Sequence, residues 1–290
     1  MMKKILLIGK NGQLGSALMN DAPLYGFEII SFERKELDVT DEHQVQQGIE
    51  KTQCDILVNA SAYHVLMDCE KNPEEAMCVN FTSVVRMARI CKEYRIPFVS
   101  YSTCYVFDGE GTTPYTEKDP PHPLQMYSIS KLAGEYGADA AYPDGAIMIR
   151  TGALYGGGAH GSPEKGGNFV LDIMREAEKK PTIEVSCEQI INPTFAGDLS
   201  KATLALLQKS APAGMYHLVN EGYCGYDQFA QEILAMTGST TKVTPVDRKG
   251  QSGGLRRPRF AALRNTKAAA MGVILPPWQK GLMSYIQSLT

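Results

Sequence analysis

The 290-residue sequence predicts an α/β protein with a doubly wound parallel sheet and a smaller C-terminal lobe. Three observations support this fold class. Short apolar runs alternate with helical patterns through the first half of the chain. A glycine-rich turn directly follows the first apolar run, and the regular alternation ends near residue 152. This order is typical of a Rossmann-type sheet, in which right-handed crossovers join parallel strands.

The first half contains five predicted strands and four predicted helices. The strands are the apolar runs Lys3–Ile8, Glu28–Phe32, Asp55–Val58, Ile96–Tyr101 and Ala146–Ile149. The helices are Gln13–Asn20, Asp41–Lys51, Pro73–Tyr94 and Tyr127–Ala140. Thr40 is the expected N-cap of the second helix, and Pro73 suits a first turn, where its missing N–H costs nothing.

The second half is richer in loops. An apolar helix, Leu199–Leu207, and a strand, Met215–Val219, return the chain to the sheet. We therefore expect a Rossmann domain at residues 1–152 with a return segment near 195–220. Residues 153–194 and 221–290 should mainly form the second, substrate-binding lobe, so that a cleft separates the two.

Composition excludes several classes of protein. Apolar residues make up 43% and charged residues 21%, as in an ordinary globular chain. A net charge of -3 provides no positive electrostatic field that could bind nucleic acid. No apolar run reaches the ~20 residues that a membrane-spanning helix needs. The seven cysteines have neither CxxC nor zinc spacing, which favours free thiols, a cytoplasmic location and no metal site.

Residues 9–15 have the sequence GKNGQLG, a GxxGxxG pattern placed between the first strand and the first helix. Glycines there let the backbone turn tightly and approach a pyrophosphate, which then rests on the helix N-terminus. The pattern alone is weak, but its position favours a dinucleotide. The predicted contacts are Gly9, Asn11, Gly12, Gln13, Leu14 and Gly15.

The charges after the second strand bear on which dinucleotide is bound. An acid there accepts the ribose hydroxyls, whereas a base meets a 2′-phosphate. The chain offers both, Glu33 and Arg34, with Lys10 inside the loop. The two cations favour NADPH, and NADH stays possible. Asp38 and Val39 are expected near the adenine.

Tyr127 and Lys131 form a YxxxK pair on one helix face. A free tyrosine titrates near ~10, and lowering its pKa to neutral takes about 4 kcal/mol, much of which a close ammonium can supply. Tyr127 would then give a proton to a carbonyl oxygen, and Lys131 would bind the nicotinamide ribose. Ser102 and Thr103 follow the fourth strand, so Thr103 is predicted to hold the substrate oxygen. A surface pair and a strand-end cap are the structural alternatives.

The chain resembles the dTDP-4-dehydrorhamnose reductase family, within the extended short-chain dehydrogenases/reductases, over nearly its whole length. The matching segments are Gly9–Gly15, Asn59–Tyr63 (NASAY), Ser102–Gly109 (STCYVFDG), Tyr127–Glu135 (YSISKLAGE), Arg150–Gly156 (RTGALYG), Asn168-Phe169, Gln189–Thr194 (QIINPT), Tyr216–Leu218, Arg257-Pro258 and Pro277-Trp278. The resemblance implies hydride transfer from NAD(P)H to the C4 ketone of a nucleotide-linked 6-deoxy sugar. It gives catalytic roles to Thr103, Tyr127 and Lys131, and cofactor contacts to Asn59, Ala60 and Ser61.

Departures from the family pattern cluster in the expected sugar-binding wall. Cys104 replaces an Asp, Ala153 stands where a Trp would lie against the sugar, and Leu66-Met67 replace Val-Asp. We therefore expect an altered substrate, whose predicted contacts are His64, Cys104, Tyr105, Ala153, Asn168 and Arg257. Arg257 suits a pyrophosphate because a guanidinium binds two oxygens at once.

For some of these residues a second interpretation stays open. Asn168 at a helix start suits a cap or a sugar contact, and the resemblance favours the sugar. Cys104 is expected to be a small residue lining the pocket rather than a reactive thiol. Some family members bind magnesium and dimerise through C-terminal acids, but residues 261–290 contain no Asp or Glu. No metal is therefore expected, and the chain is expected to be a monomer or a homodimer.

Two other functions share the same motifs. A sugar-nucleotide epimerase would use the same Tyr–Lys pair with a tightly held NAD, although the short C-terminal lobe disfavours it. The regulatory subunit of methionine adenosyltransferase also resembles this reductase branch and lacks the same Trp, which would make the chain a non-catalytic partner of another enzyme.

Overall fold

The computed structural model describes residues 2–157, 167–247 and 254–289. Its strands are β1 (Lys3–Ile8), β2 (Phe27–Ser31), β3 (Ile56–Asn59), β4 (Phe98–Thr103), β5 (Ala146–Thr151), β6 (Leu154–Tyr155), β7 (Thr182–Ser186), β8 (Ile190–Ile191), β9 (Thr194–Phe195), β10 (Gly214–His217), β11 (Cys224–Gly225) and β12 (Lys242–Val246). Its α-helices are α1 (Gln13–Asp21), α2 (Glu42–Thr52), α3 (Leu66–Lys71), α4 (Pro73–Met77), α5 (Ser83–Tyr94), α6 (Met126–Ala141), α7 (Phe169–Ala177), α8 (Ala196–Gln208), α9 (Tyr226–Met236), α10 (Thr266–Ala270) and α11 (Trp278–Gln287).

Six strands form one parallel sheet in the order β10-β5-β4-β3-β1-β2. Helices cover both faces, with α1 packed on α8 on one side and α5 packed on α2 and α6 on the other. The central strands β3, β4 and β5 are buried along their whole length because helices cover both faces. The predicted α/β fold class with a doubly wound parallel sheet is therefore confirmed.

The candidate site lies at the carboxyl ends of the parallel strands. The chain order reverses between β1 and β3, so the ends of these strands and of β4 open onto a common crevice. β4 extends two residues beyond the predicted end and carries Ser102 and Thr103 to the sheet edge. The strand β10 joins the sheet beside β5 and brings the chain back from the second lobe.

Two local predictions are wrong. The cap of α2 is Asp41, whose carboxylate accepts hydrogen bonds from the backbone of His43 and Gln44 at 3.0 and 3.2 Å. Thr40 instead donates its hydroxyl proton to Asp38. The helix predicted at Pro73–Tyr94 is interrupted by a π-helical turn, Cys78–Thr82, between α4 and α5.

The second lobe has its own core of aromatic and branched side chains. Tyr155, Phe229 and Trp278 lie at its centre, and Trp278 meets the ring of Phe229 edge-on at 5.7 Å. The short parallel pair β7–β12 borders this core. Trp278 is only 6% exposed and therefore serves packing.

Candidate active site

The turn between β1 and α1 depends on two glycines. Gly9 has a φ of +88°, and a Cβ there would lie 2.8 Å from the backbone of Ala60. A Cβ on Gly15 would lie 2.1 Å from the carbonyl oxygen of Gly9. The turn therefore folds tightly against the end of β3 only because both side chains are missing.

A cavity of about 210 Å³ lies beside this turn. The residues that line it are Ile8, Gly9, Lys10, Asn11, Gly12, Phe32, Arg34, Leu37, Asp38, Val39, Thr40, Ser61, Ala62, Tyr63 and Val79. The predicted contacts Gly9, Asn11, Gly12, Arg34, Asp38, Val39 and Ser61 are among them. Sequence reasoning missed the lining residues Ala62 and Tyr63 as individual contacts, although both belong to the segment NASAY.

Other predicted cofactor residues support this cavity from behind. Leu14 is 6% exposed and packs in the core between the sheet and α8. Asn59 is 1% exposed, accepts from the backbone and hydroxyl of Ser61, and donates to Ser100. These two side chains, like Gly15, hold the backbone in place and do not line the cavity.

The charged side chains at the cavity differ in their hydrogen-bond and ion-pair partners. The carboxylate of Glu33 meets Lys10 at 2.9 Å and accepts from the amide of Asn11 at 3.0 Å. These hydrogen bonds lower the pKa of Glu33 and tie it to the glycine turn. Arg34 lines the cavity, and with the backbone N–H of Thr40 it lowers the pKa of Asp38. Both Lys10 and Arg34 line the cavity, but Lys10 is paired with Glu33.

Tyr127 and Thr103 meet where α6 begins and β4 ends. The Thr103 hydroxyl accepts from the backbone of Tyr105 at 3.1 Å and forms a hydrogen bond with the phenol of Tyr127. Burial raises the pKa of Tyr127 above its usual value, and Cys104 acts in the same direction. The expected lowering of this pKa by Lys131 is therefore wrong, because the phenolate loses more hydration than its surroundings return. Tyr127 holds its proton at neutral pH.

Lys131 lies one turn further along α6 and is 4% exposed. Burial lowers its pKa to about 8, while Glu135 and then Cys69 act to raise it. The lysine is thus charged at neutral pH and becomes neutral as the pH rises through about 8.

Cys104 lines the same corner as a small protonated side chain. Burial raises the pKa of its thiol to about 12, so little thiolate exists at neutral pH. Its sulfur lies where a Cβ on Gly152 would approach to 2.5 Å, which leaves the corner tightly packed.

The opposite wall of the cleft comes from distant parts of the chain. Gln189 donates to the phenol of Tyr105 at 3.2 Å and to the carbonyl of Pro258 at 3.1 Å. Tyr226 forms a hydrogen bond with Tyr105, and the exposed Arg257 lowers the otherwise raised pKa of both phenols. Sequence reasoning missed Gln189 and Tyr226. Gln189 stood in the segment QIINPT, a signal that could have found it, whereas Tyr226 carried none.

The remaining predicted sugar contacts differ in what surrounds them. Asn168 is the N-cap of α7, accepting from Val170 and Leu171, and its amide donates to the hydroxyl of Tyr285 at 2.8 Å. Because these bonds use both ends of its amide, Asn168 is the cap of α7 and the predicted sugar contact is wrong. His64 is exposed on the loop after β3.

Ala153 has a φ of +43°, in the left-handed region that side chains rarely adopt. Its carbonyl accepts from the backbone of Thr194 at 3.1 Å, which fixes this conformation between β5 and β6. No cluster of three or more His, Cys, Asp or Glu side chains suited to a metal occurs within residues 2–157, 167–247 and 254–289. In the same ranges no helix is both long and apolar enough to cross a bilayer.

The fold and this site define a Rossmann-type dinucleotide-binding protein with a Thr–Tyr–Lys constellation at the sheet edge. Residues 2–290 match the family model described as RmlD substrate binding domain, and the chain belongs to this family.

Comparisons with known proteins agree with this assignment. The chain is 33% identical to the spore coat polysaccharide biosynthesis protein SpsK of Bacillus subtilis, over 99% of this chain and 98% of that protein. It is 32% identical to dTDP-4-dehydrorhamnose reductase of Salmonella typhimurium, over 96% and 95% of the two chains. A crystal structure of dTDP-4-dehydrorhamnose reductase from Bacillus anthracis in complex with NADP superposes with a TM-score of 0.92 at 28% identity, covering 99% of this chain and all (100%) of that one.

Proposed function

We propose that this protein is an NADPH-dependent reductase that converts the C4 ketone of a nucleotide-linked 6-deoxy sugar into an alcohol. The observation that carries the proposal is the hydrogen bond between the phenol of Tyr127 and Thr103 at the carboxyl end of β4, with the buried Lys131 one turn further along α6. The names of the relatives, dTDP-4-dehydrorhamnose reductase above all, support the same reaction.

The residues around the glycine turn suit a dinucleotide phosphate. Gly9 and Gly15 form a cradle that a Cβ would fill, and the adjoining cavity of about 210 Å³ is lined by Arg34. Lys10 and Asn11 already bind the carboxylate of Glu33, so this acid is poorly placed to bind ribose hydroxyls. Arg34 would instead hold a 2′-phosphate. NADPH supplies the hydride when bound; NADH would lose the Arg34 interaction.

Tyr127 would act as the acid. Its raised pKa keeps the phenol proton in place until negative charge develops on the ketone oxygen. Thr103 would hold that oxygen in line with the phenol, and the ammonium of Lys131 would stabilise the phenolate that remains. The cofactor ribose is the expected second partner of Lys131.

The wall formed by Tyr105, Gln189, Tyr226 and Arg257 would bind the nucleotide-linked sugar. Its phenol and amide groups offer hydrogen bonds to hydroxyls, and Arg257 would meet the diphosphate. His64, Cys104 and Ala153 stay proposed contacts with the sugar ring. The changes at Cys104 and Ala153 support a substrate other than dTDP-4-dehydrorhamnose.

The test is NADPH oxidation, followed at 340 nm, with 4-keto-6-deoxy sugars linked to dTDP or UDP. We expect turnover with one sugar far above the others, and a weaker rate with NADH. Turnover of dTDP-4-dehydrorhamnose at rates typical of enzymes, on the order of 1–10³ s⁻¹, would contradict the altered substrate but keep the reductase. Tight NADPH binding without turnover of any sugar would instead favour the regulatory-subunit alternative.

The organisation of the chain completes the proposal. Residues 1–152 with the segment near 195–220 would bind the cofactor, and residues 153–194 and 221–290 would mainly bind the sugar nucleotide. We place the protein in the cytoplasm, since all seven cysteines are free thiols. We further propose that it is a monomer or a homodimer.

A further inference from the structure

An ion pair without a role in the proposed reaction lies one helical turn beyond Lys131. Arg150 on β5 donates from Nε to one oxygen of Glu135 at 3.0 Å and from Nη2 to the other at 2.6 Å. The two side chains are 4% and 1% exposed. Because both carboxylate oxygens are bound in a planar fork, Glu135 is fixed in one position.

Arg150 is itself restrained from a second side. The centre of its guanidinium lies 5.1 Å from the ring of Phe107, which stacks on Tyr115 at 4.2 Å. Glu135, Arg150 and Asp139 are among the residues that border a cavity of about 400 Å³.

Packing alone does not account for such a pair. Removing two charges from water costs several kcal/mol per ion, and well-packed apolar residues of the same volume often stabilise a fold as well or better. Glu135 lies four residues after Lys131 on the same face of α6, so the carboxylate and the ammonium are neighbours. Glu135 also opposes the loss of charge that burial imposes on Lys131.

We propose that Glu135, fixed by Arg150, is a positioning residue that keeps the buried Lys131 charged and aligned for catalysis. Among the described residues, the other group that acts on the charge of Lys131 is Cys69 on α3; Tyr127 lies one turn earlier on α6, and the guanidinium of Arg150 is bound to the carboxylate of Glu135. Burial raises the pKa of Cys69 to about 11 and that of Tyr127 further, so both are neutral at pH 7. Glu135 therefore supplies the negative charge that keeps Lys131 protonated. The catalytic consequence rests on the proposed function, whereas the electrostatic link does not.

The charge on Lys131 can be followed without cofactor or substrate. A lysine whose folded pKa lies below its unfolded value of ~10.5 destabilises the fold while charged, and this cost shrinks as the pH rises above the folded pKa. The stability gained by Lys131→Met, measured by urea unfolding from pH 6 to 10, should therefore begin to shrink near pH 8. In a Glu135→Gln background the same decrease should begin about one pH unit lower.

Matched variants separate charge from packing. Asp139→Asn removes an exposed carboxylate one turn further along α6 at the same cavity, and should leave the onset near pH 8. Glu135→Asp keeps the charge and should restore the onset toward that of the wild type. If Glu135→Gln does not fold, Glu135→Gln/Arg150→Met leaves no unpaired charge and should move the onset in the same direction.

An onset that stays near pH 8 in both Glu135→Gln and the double variant would overturn the inference and leave the pair as a structural brace. In parallel, kcat/KM for sugar reduction should begin to fall at a correspondingly lower pH in Glu135→Gln than in the wild type. A shifted onset in a protein that reduces no 4-keto sugar would uphold the inference and reject the proposed function. Sugar reduction without a shifted onset would uphold the proposed function and reject the inference.

Discussion

The two walls of the cleft are built in different ways. The cofactor wall comes from the ends of β1, β2 and β3, and its key charges pair locally, as in the contact between Lys10 and Glu33 at 2.9 Å. The proposed substrate wall joins Tyr105, Gln189, Tyr226 and Arg257, which belong to four separate segments. The residues of the cofactor wall all lie between positions 8 and 79, whereas those of the proposed substrate wall are spread from Tyr105 to Arg257.

Because the two walls are built separately, the proposed substrate wall can change while the cofactor wall stays the same. A contiguous turn whose glycines contact each other's backbone tolerates little variation, as the 2.1 Å approach at Gly15 shows. The proposed substrate wall lies outside the six-stranded sheet and is held by side-chain hydrogen bonds such as those of Gln189, so one replacement can alter its surface without disturbing the sheet. Hydride chemistry can then persist while the sugar pocket diverges.

The strongest test of the comparison is Tyr127→Phe, which removes the proposed acid between the two walls. We expect kcat to fall about 10²–10⁴-fold, because general acid catalysis contributes on this scale. NADPH affinity, measured by fluorescence, should stay near that of the wild type. Tyr136→Phe, an exposed tyrosine on the same helix, is the control and should retain full activity.

The pH dependence tests the cofactor side of the constellation. Lys131 is charged below about pH 8 and neutral above it, while Tyr127 keeps its proton throughout this range. The kcat/KM for reduction should therefore fall about tenfold per pH unit above the pKa of Lys131. Lys131→Arg, which stays charged, should be less active at pH 7 but should lack this decline. An unchanged decline in that variant would assign it to another group.

Arg34→Met tests the cofactor wall alone. Loss of a charge-assisted bond to a 2′-phosphate should weaken NADPH binding about tenfold or more, since such bonds contribute about 1.5–3 kcal/mol. NADH binding and the KM for the sugar should hardly change. Lys35→Met, the adjacent exposed cation that does not line the cavity, is the matched control. Equal losses for NADPH and NADH would contradict the assignment.

Tyr226→Phe tests the substrate wall alone and should have the smallest effect. Removing one hydroxyl from the hydrogen-bonded group around Tyr105 should raise the sugar-nucleotide KM about 2–10-fold, the equivalent of one neutral hydrogen bond. NADPH affinity should not change. Tyr223→Phe, 49% exposed on the preceding turn, provides the comparison. A parallel loss of NADPH affinity would show that the two walls are not independent.

Much of the fold could be predicted because both faces of the sheet are buried. Continuous apolar runs therefore marked β1, β3 and β4, and the GxxGxxG turn marked the cofactor wall. The π-helical turn at Cys78–Thr82 had no signal in the sequence; it contains the buried Asn80, whose amide donates to the Tyr63 carbonyl at 2.8 Å. Tertiary contacts of this kind are absent from local sequence.

The sequence predicts which residues the candidate site contains, and their roles stay predictions; their electrostatics could not be predicted from the sequence. Thr103, Tyr127 and Lys131 follow from motif and order, but the direction of the Tyr127 pKa depends on burial. Asn168 could not be assigned to cap or sugar until its partner Tyr285, far along the chain, was placed. Tyr226 had no motif at all and enters the site through packing of α9.

The most direct measurement of the central claim is deuterium transfer from stereospecifically 4-deuterated NADPH to the sugar nucleotide, followed by NMR of the product. We expect that one of the two cofactor diastereomers places a single deuterium at C4 of the sugar, in a product that Tyr127→Phe forms at least about 100-fold more slowly. NADPH consumed without deuterium at C4, or deuterium at another carbon, would contradict the proposed reduction.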